Sequence, residues 1–260
     1  KLASLLGKPG SPEALALPTL VIEPGGIDLM CRARLINSRH EAIRILREPQ
    51  NELKPPQSKD AKAGRMNPAG ISVFYGALSE NTAIAEVRPS VGSSVVVGAF
   101  KVLKKMRLLN LPQIDLCYTG SIFDPDYENR VSRRDFFQKF HNLITKPILP
   151  TEEFIEYVPT QAVAEYVAHV LNFDGIIYAS AQISSAWSED EEPVFRTHAK
   201  ELSQEDLQKC NVVLFGEWQG LVASGSIVLQ RDTVKAIKVG SVQYQYERDF
   251  DVEYASSHED

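Results

Sequence analysis

Three arginines, a tyrosine, a glutamate and a serine are the residues of this 260-residue chain whose types and settings could do chemistry. Arg32 and Arg34 lie two apart in IDLMCRARLI, an alternating segment that aims both side chains to one face of a strand. Arg65 stands in GRMNPAG beside Asn67, between Gly64 and Gly70. Tyr75 lies in ISVFYGAL, and Glu86 lies in SENTAIAEVR among Ala83, Ile84, Ala85 and Val87. Ser180 closes FDGIIYAS, where a strand meets a loop.

A guanidinium in a core strand is costly unless an anion meets it, and its planar fork matches a phosphate or carboxylate. A carboxylate among small apolar residues either pairs with a cation or works on a substrate. The glycines permit the backbone turns that bring a chain close to a ligand. Each residue also has a plainer role. The arginines could pair with some of the 34 acidic residues, and Glu86 with Arg88 or a strand arginine. Tyr75 could be a core aromatic and Ser180 a turn residue.

The elements that must position this set can be read from pattern. IDLMCRARLI places Leu29, Cys31, Ala33 and Leu35 opposite Met30, Arg32 and Arg34. PQNELKPPQSKDAKAG reads as a polar loop. ISVFYGAL is a strand with Val73, Tyr75 and Ala77 on one side. SENTAIAEVR is a short helix capped by Ser79 and stopped by Pro89. SSVVVGAFKV, MRLLNL, FDGIIYAS and NVVLF are further strands. RRDFFQKFHNLI has helical periodicity, and PTQAVAEYVAHVLN predicts a helix with Pro159 near its first turn. The segments GSIVLQ and VGSVQYQYE predict hairpin strands near the end. Without regular strand–helix alternation the fold class is α+β, with mixed or antiparallel sheets and flanking helices. Residues 1–26 read as a lead-in or linker, 27–217 as the main domain and 218–260 as a β-rich extension.

Composition excludes several classes. A net charge of −6 argues against a nucleic-acid surface. No apolar run approaches the length of a membrane span. Three scattered cysteines, Cys31, Cys117 and Cys210, make no disulfide framework and fit a reducing cytoplasm. The chain has no GxxxxGK[ST], GxGxxG or GxSxG motif, and its five histidines lack the spacing of metal ligands.

Taken in order, RAR, GRMNPAGISVFYGALSENTAIAEVRP, PTQAVAEYVAHVLNFDGIIYAS and NVVLF resemble the RES-domain family. The longer forms around RAR and AEVRP are similar to the larger members more than to the compact toxins. The resemblance implies a fold like the ADP-ribosyltransferases and consumption of NAD as substrate, with no cofactor and no metal. It assigns Arg65, Glu86 and Ser180 to catalysis, with Ser184 and Ser185 close to the last. Arg32, Arg34, Asn67 and Tyr75 then bind substrate. Compact members are neutralised by antitoxins, so an antitoxin or regulatory protein and a second copy of the chain are among the implied partners. The acceptor is water, phosphate or a protein. The alternative class is a non-catalytic module that binds a nucleotide or docks a partner.

Overall fold

The computed structural model describes residues 17–27, 29–116, 121–146, 153–183, 202–216 and 225–242. Residues 1–16 of the expected lead-in, Cys117, Ser184, Ser185 and the acidic SEDEEP loop lie outside the described residues. So do 217–224 and 243–260, which include most of VGSVQYQYE.

One mixed sheet of eight strands organises the molecule, and its α+β character is as the pattern predicts. In chain order the strands are β1 (Thr19–Ile22), β2 (Leu29–Ile36), β3 (Phe74–Ala77), β4 (Ser94–Val102), β5 (Met106–Asn110), β6 (Gly175–Ala179), β7 (Cys210–Leu214) and β8 (Ile227–Lys238). Their spatial order is β1-β5-β6-β7-β3-β2-β4-β8. Only β5 and β6 run parallel. β2 pairs with β4 along its whole length, whereas β2 and β3 share the single pair Cys31↔Ala77. The sheet is therefore thinly laced at its middle, beside β3.

Helices α1 (Arg39–Arg47), α2 (Pro49–Glu52), α3 (Glu80–Glu86), α4 (Tyr127–Thr145), α5 (Glu153–His169) and α6 (Gln204–Gln208) accompany the sheet. Strand alternation sorts the apolar residues into two cores. Val73, Ile176, Tyr178 and Val213 meet Phe137, Phe140, Ile144, Val163 and Val167 of α4 and α5. Met30, Phe74, Phe100, Ile177 and Val212 meet Ile45 and Leu53 on the other face. Phe74 and Phe100 stack edge to face at 4.9 Å. Burial of such side chains supplies roughly 1.5–3 kcal/mol each relative to exposure.

Several elements depart from pattern. Thr19–Ile22, placed in the lead-in by its prolines, pairs with β5 as an edge strand of the sheet. The polar loop after β2 holds the short helix α2, with Pro49 at its first turn. α5 begins at Glu153, so Pro159 lies inside it instead of at its start. GSIVLQ opens one long strand, β8, that pairs with β4 across a register shift between Val97 and Ala99. Thr233 fills that irregularity, accepting from Ala99 N at 2.9 Å.

Candidate active site

Glu86 is carried at the last turn of α3. The helix starts where expected, with Ser79 Oγ accepting from Thr82 N at 3.2 Å. The same hydroxyl and Thr82 Oγ both donate to the Gln208 carbonyl, at 2.7 and 2.6 Å. These bonds dock the start of α3 on the residue that leads into β7, and the helix then delivers Glu86 over the sheet.

There the Glu86 carboxylate meets two buried donors. Its Oε1 accepts from Ser180 Oγ at 2.5 Å and from Asn211 Nδ2 at 2.8 Å. Ser180 is fully buried and Asn211 only 2% exposed, while Glu86 itself is exposed. One carboxylate oxygen is thus fixed from below, and Oε2 has no partner among the described residues. Asn211 is a functional residue that sequence reasoning missed. Its signal was the one polar residue heading the otherwise apolar NVVLF.

Ser180 is held in turn. Its N–H donates to the Lys209 carbonyl at 3.0 Å, extending the ladder past β6. The preceding Ala179 N–H donates to His141 Nε2 at 3.0 Å. An accepting Nε2 requires the proton on Nδ1, and burial pushes the His141 pKa down to about 4. His141 is therefore a neutral imidazole that anchors the end of β6.

The Gly-Arg motif forms the second part of the site. Tyr75 Oη donates to Asn67 Oδ1 at 2.8 Å and accepts from Met66 N at 3.0 Å. Asn67 Nδ2 donates to the carbonyls of Lys62, Pro68 and Ile71. Asn67 is 3% exposed with both polar atoms spent inside the turn. Its amide therefore holds the turn that carries Arg65 in shape. Burial raises the Tyr75 pKa well above the phenol range, so its hydroxyl stays protonated. At Gly64 a Cβ would sit 2.7 Å from Asn67 Oδ1 and 2.8 Å from Tyr75 Oη, which explains the glycine there.

Helix α5 clasps the same turn. Thr160 Oγ donates to the Arg65 carbonyl at 2.5 Å, and Gln161 Nε2 to the carbonyls of Gly64 and Asn67 at 2.8 and 3.0 Å. The half-buried Arg65 guanidinium lies 5.7 Å from the Tyr157 ring centre and donates to the Leu143 carbonyl at 3.3 Å. Tyr178 links the two parts. Burial raises its pKa, followed by the negative charge of Glu86, while Arg65 acts in the opposite direction and Tyr75 and Tyr157 add smaller effects. Glu86, Arg65 and Tyr75 therefore lie within electrostatic reach of one buried phenol.

Arg32 and Arg34 are not part of this gathering. They share the parity of Met30 in β2 and face the second core. The Arg32 guanidinium lies 5.6 Å from the Phe74 ring centre and, among the described residues, donates to the main-chain carbonyl of Tyr75 at 2.8 Å. Arg34 pairs with Glu52 at 2.9 Å and Glu41 at 3.3 Å, the internal ion pair left open by the sequence. Asn211, Tyr178 and Ser180 project to the other face with Val213. Arg32 and Arg34 thus leave β2 on the face of the second core, and Ser180 and Asn211 lie on the face of the first.

The model of the RES domain matches residues 41–204. The chain belongs to the RES-domain family. That span contains Arg65, Tyr75, Glu86 and Ser180, while β2 with Arg32 and Arg34, and Asn211 in β7, lie beyond its ends. RES membership associates the chain with NAD in general terms. No characterised protein and no solved structure matched the chain. Among the described residues no helix is long and apolar enough to cross a membrane.

Proposed function

We propose that this RES protein breaks the nicotinamide–ribose bond of NAD and passes the ADP-ribosyl group to water or phosphate. One observation carries the reading: Glu86 is fixed through Oε1 by Ser180 and Asn211, with Oε2 unengaged among the described residues at an exposed position. When the bond breaks, its electron pair moves onto the pyridinium nitrogen and nicotinamide leaves neutral. No acid is needed to protonate that leaving group. Positive charge builds on the ribose carbon and ring oxygen, as in glycoside cleavage.

A single carboxylate suits this chemistry. Glu86 Oε2 stabilises the oxocarbenium-like charge or orients the entering water or phosphate, whose oxygen forms the new bond to the ribose carbon. A water nucleophile then loses its proton. Ser180 and Asn211 keep the carboxylate from rotating as charge develops, so little reorganisation is required at that moment. Arg65 supplies positive charge for the diphosphate from the face where Glu86 lies. Tyr75 acts through its contacts to the Arg65 turn.

The test uses labelled NAD with and without phosphate, and with cell lysate. Wild-type protein releases nicotinamide, and Glu86→Gln slows that release by about 10²–10³. Free ADP-ribose identifies a hydrolase and a phosphorylated ADP-ribose a phosphorylase; label on protein identifies a transferase. Equal rates for wild type and Glu86→Gln would remove the glutamate from the mechanism. Absence of release under every acceptor condition would favour a binding module. Toxicity belongs to the same proposal: expression of the chain depletes cellular NAD, and unchanged NAD with normal growth would count against it.

A further inference from the structure

Strand β6 reads GIIYA and is buried throughout, and Tyr178 is its one residue with a polar side-chain group. The ring packs in the first core with Ile176 and Val213. A phenylalanine would fill the same space, so the hydroxyl needs its own account. Tyr178 is 8% exposed, and its hydroxyl has no hydrogen-bond partner among the described residues. Buried hydroxyls are normally bonded, because burial forfeits their bonds to water.

The polar groups around it are committed elsewhere. Asn211 lies directly opposite Tyr178 in the β6–β7 ladder. Its Nδ2 is given to Glu86 Oε1 at 2.8 Å, and its buried Oδ1 is unpartnered, so the phenol is not bonded to the amide it faces. Ser180, two residues along on the same face, gives its proton to the same Glu86 oxygen. The Tyr75 hydroxyl is spent on Asn67 and Met66, and Arg65 donates to the Leu143 carbonyl and lies over the Tyr157 ring.

Tyr178, Ser180 and Asn211 are thus nearest neighbours on one sheet face, along a strand and across a ladder. Two of the three end on Glu86 Oε1, and the longest side chain of the three ends on nothing. Burial, and then the negative charge of Glu86, keep the Tyr178 hydroxyl protonated. It is a donor held within electrostatic reach of a carboxylate whose Oε2 is unengaged among the described residues. A group that serves both must accept from a phenol and donate to a carboxylate. A hydroxyl does so with one oxygen. An ionised phosphate oxygen has no proton to donate, and a pyridinium ring nitrogen does neither.

We propose that Tyr178 determines sugar specificity: its phenol donates to the ribose hydroxyl adjacent to the reacting carbon, while that hydroxyl donates to Glu86 Oε2. The inference rests on the reading that NAD is cleaved at Glu86. The site then selects ribose over deoxyribose on the nicotinamide side, because a substrate lacking the hydroxyl leaves the buried phenol unbonded.

The experiment compares nicotinamide release from NAD with release from the analogue whose nicotinamide ribose lacks the 2′-hydroxyl, for wild type and Tyr178→Phe. The variant deletes the hydroxyl and keeps the ring. It should lower kcat/KM for NAD by about 3- to 10-fold and leave kcat/KM for the analogue essentially unchanged. Measuring both substrates on both proteins cancels the analogue's own reactivity. A packing role alone would lower both substrates together, and that result overturns the assignment. A thermal melt of the ligand-free variant is a second check. Its midpoint should match or exceed that of wild type, since no bond within the fold is lost. A clearly lower midpoint would show the hydroxyl bonded inside the fold and would also overturn the assignment. If wild type releases nicotinamide, Glu86→Gln is slow and Tyr178→Phe loses equally on both substrates, the proposed reaction stands and Tyr178 leaves it. If wild type releases none, both fall.

Discussion

Replacing Ser180 by alanine removes one of two donors that fix the Glu86 carboxylate, and leaves the charge itself in place. The bond lost is short, 2.5 Å, and ends on a carboxylate oxygen. A hydrogen bond to a charged group contributes about 1.5–3 kcal/mol, and each 1.4 kcal/mol is tenfold in rate. Ser180→Ala should therefore lower kcat by roughly 10- to 100-fold. KM should change little, because Ser180 is fully buried beneath the carboxylate. Asn211 Nδ2 remains on the same oxygen at 2.8 Å, so the loss stays below that of removing the charge. Asn211→Ala should give a loss of similar size, and the pair should be non-additive because both donors serve one acceptor. Initial rates of nicotinamide release give kcat and KM, with thermal melts reporting the fold. A folded Ser180→Ala protein that turns over at the wild-type rate, alongside an inactive Glu86→Gln, would refute the claim that buried donors set the carboxylate.

Three other perturbations have defined outcomes. His141 is neutral in the fold, with a pKa of about 4 against its ordinary 6.5, so the unfolded chain takes up the proton first as pH falls. Its contribution is complete above about pH 6.5 and is lost between there and about 4, amounting to roughly 3 kcal/mol. Urea melts at a series of pH values should show this slope in wild type and a shallower one in His141→Asn. Tyr75→Phe deletes the hydroxyl that joins Asn67 and Met66 and should cost about 1–3 kcal/mol, read as a lower urea midpoint; an unshifted midpoint would show the hydroxyl to be idle. Gly175→Ala places a methyl against the Val213 carbonyl oxygen of the neighbouring strand and should cost about 3 kcal/mol or more; near-wild-type stability would show that β6 and β7 can separate there.

Much of the site's local framework was legible in the sequence. Alternation located β2, and Ser79 marked the start of α3 because its hydroxyl is an obvious acceptor for an unpaired amide. Pro159 misled, since a proline at position one of a helix is common, whereas here the turn before it is helical too. Thr19–Ile22 was obscured by flanking prolines, although pairing with β5 gives its backbone groups partners. His141 carries no sequence signal as an acceptor for β6, because its partner is a main-chain amide 38 residues away.

By itself the sequence determined which residues could bear charge, the periodicity of the segments holding them, and the parity that puts Arg32 and Arg34 on one side of their strand. Those properties follow from side-chain chemistry and from backbone repeats, which need only near neighbours. Tertiary structure alone decided that this side faces the second core and that Arg34 is already paired. It also decided that Ser180 and Asn211 converge on one carboxylate oxygen. Such convergence depends on strand order, and strand order is set by burial of two cores across a sheet whose neighbours are distant in the chain.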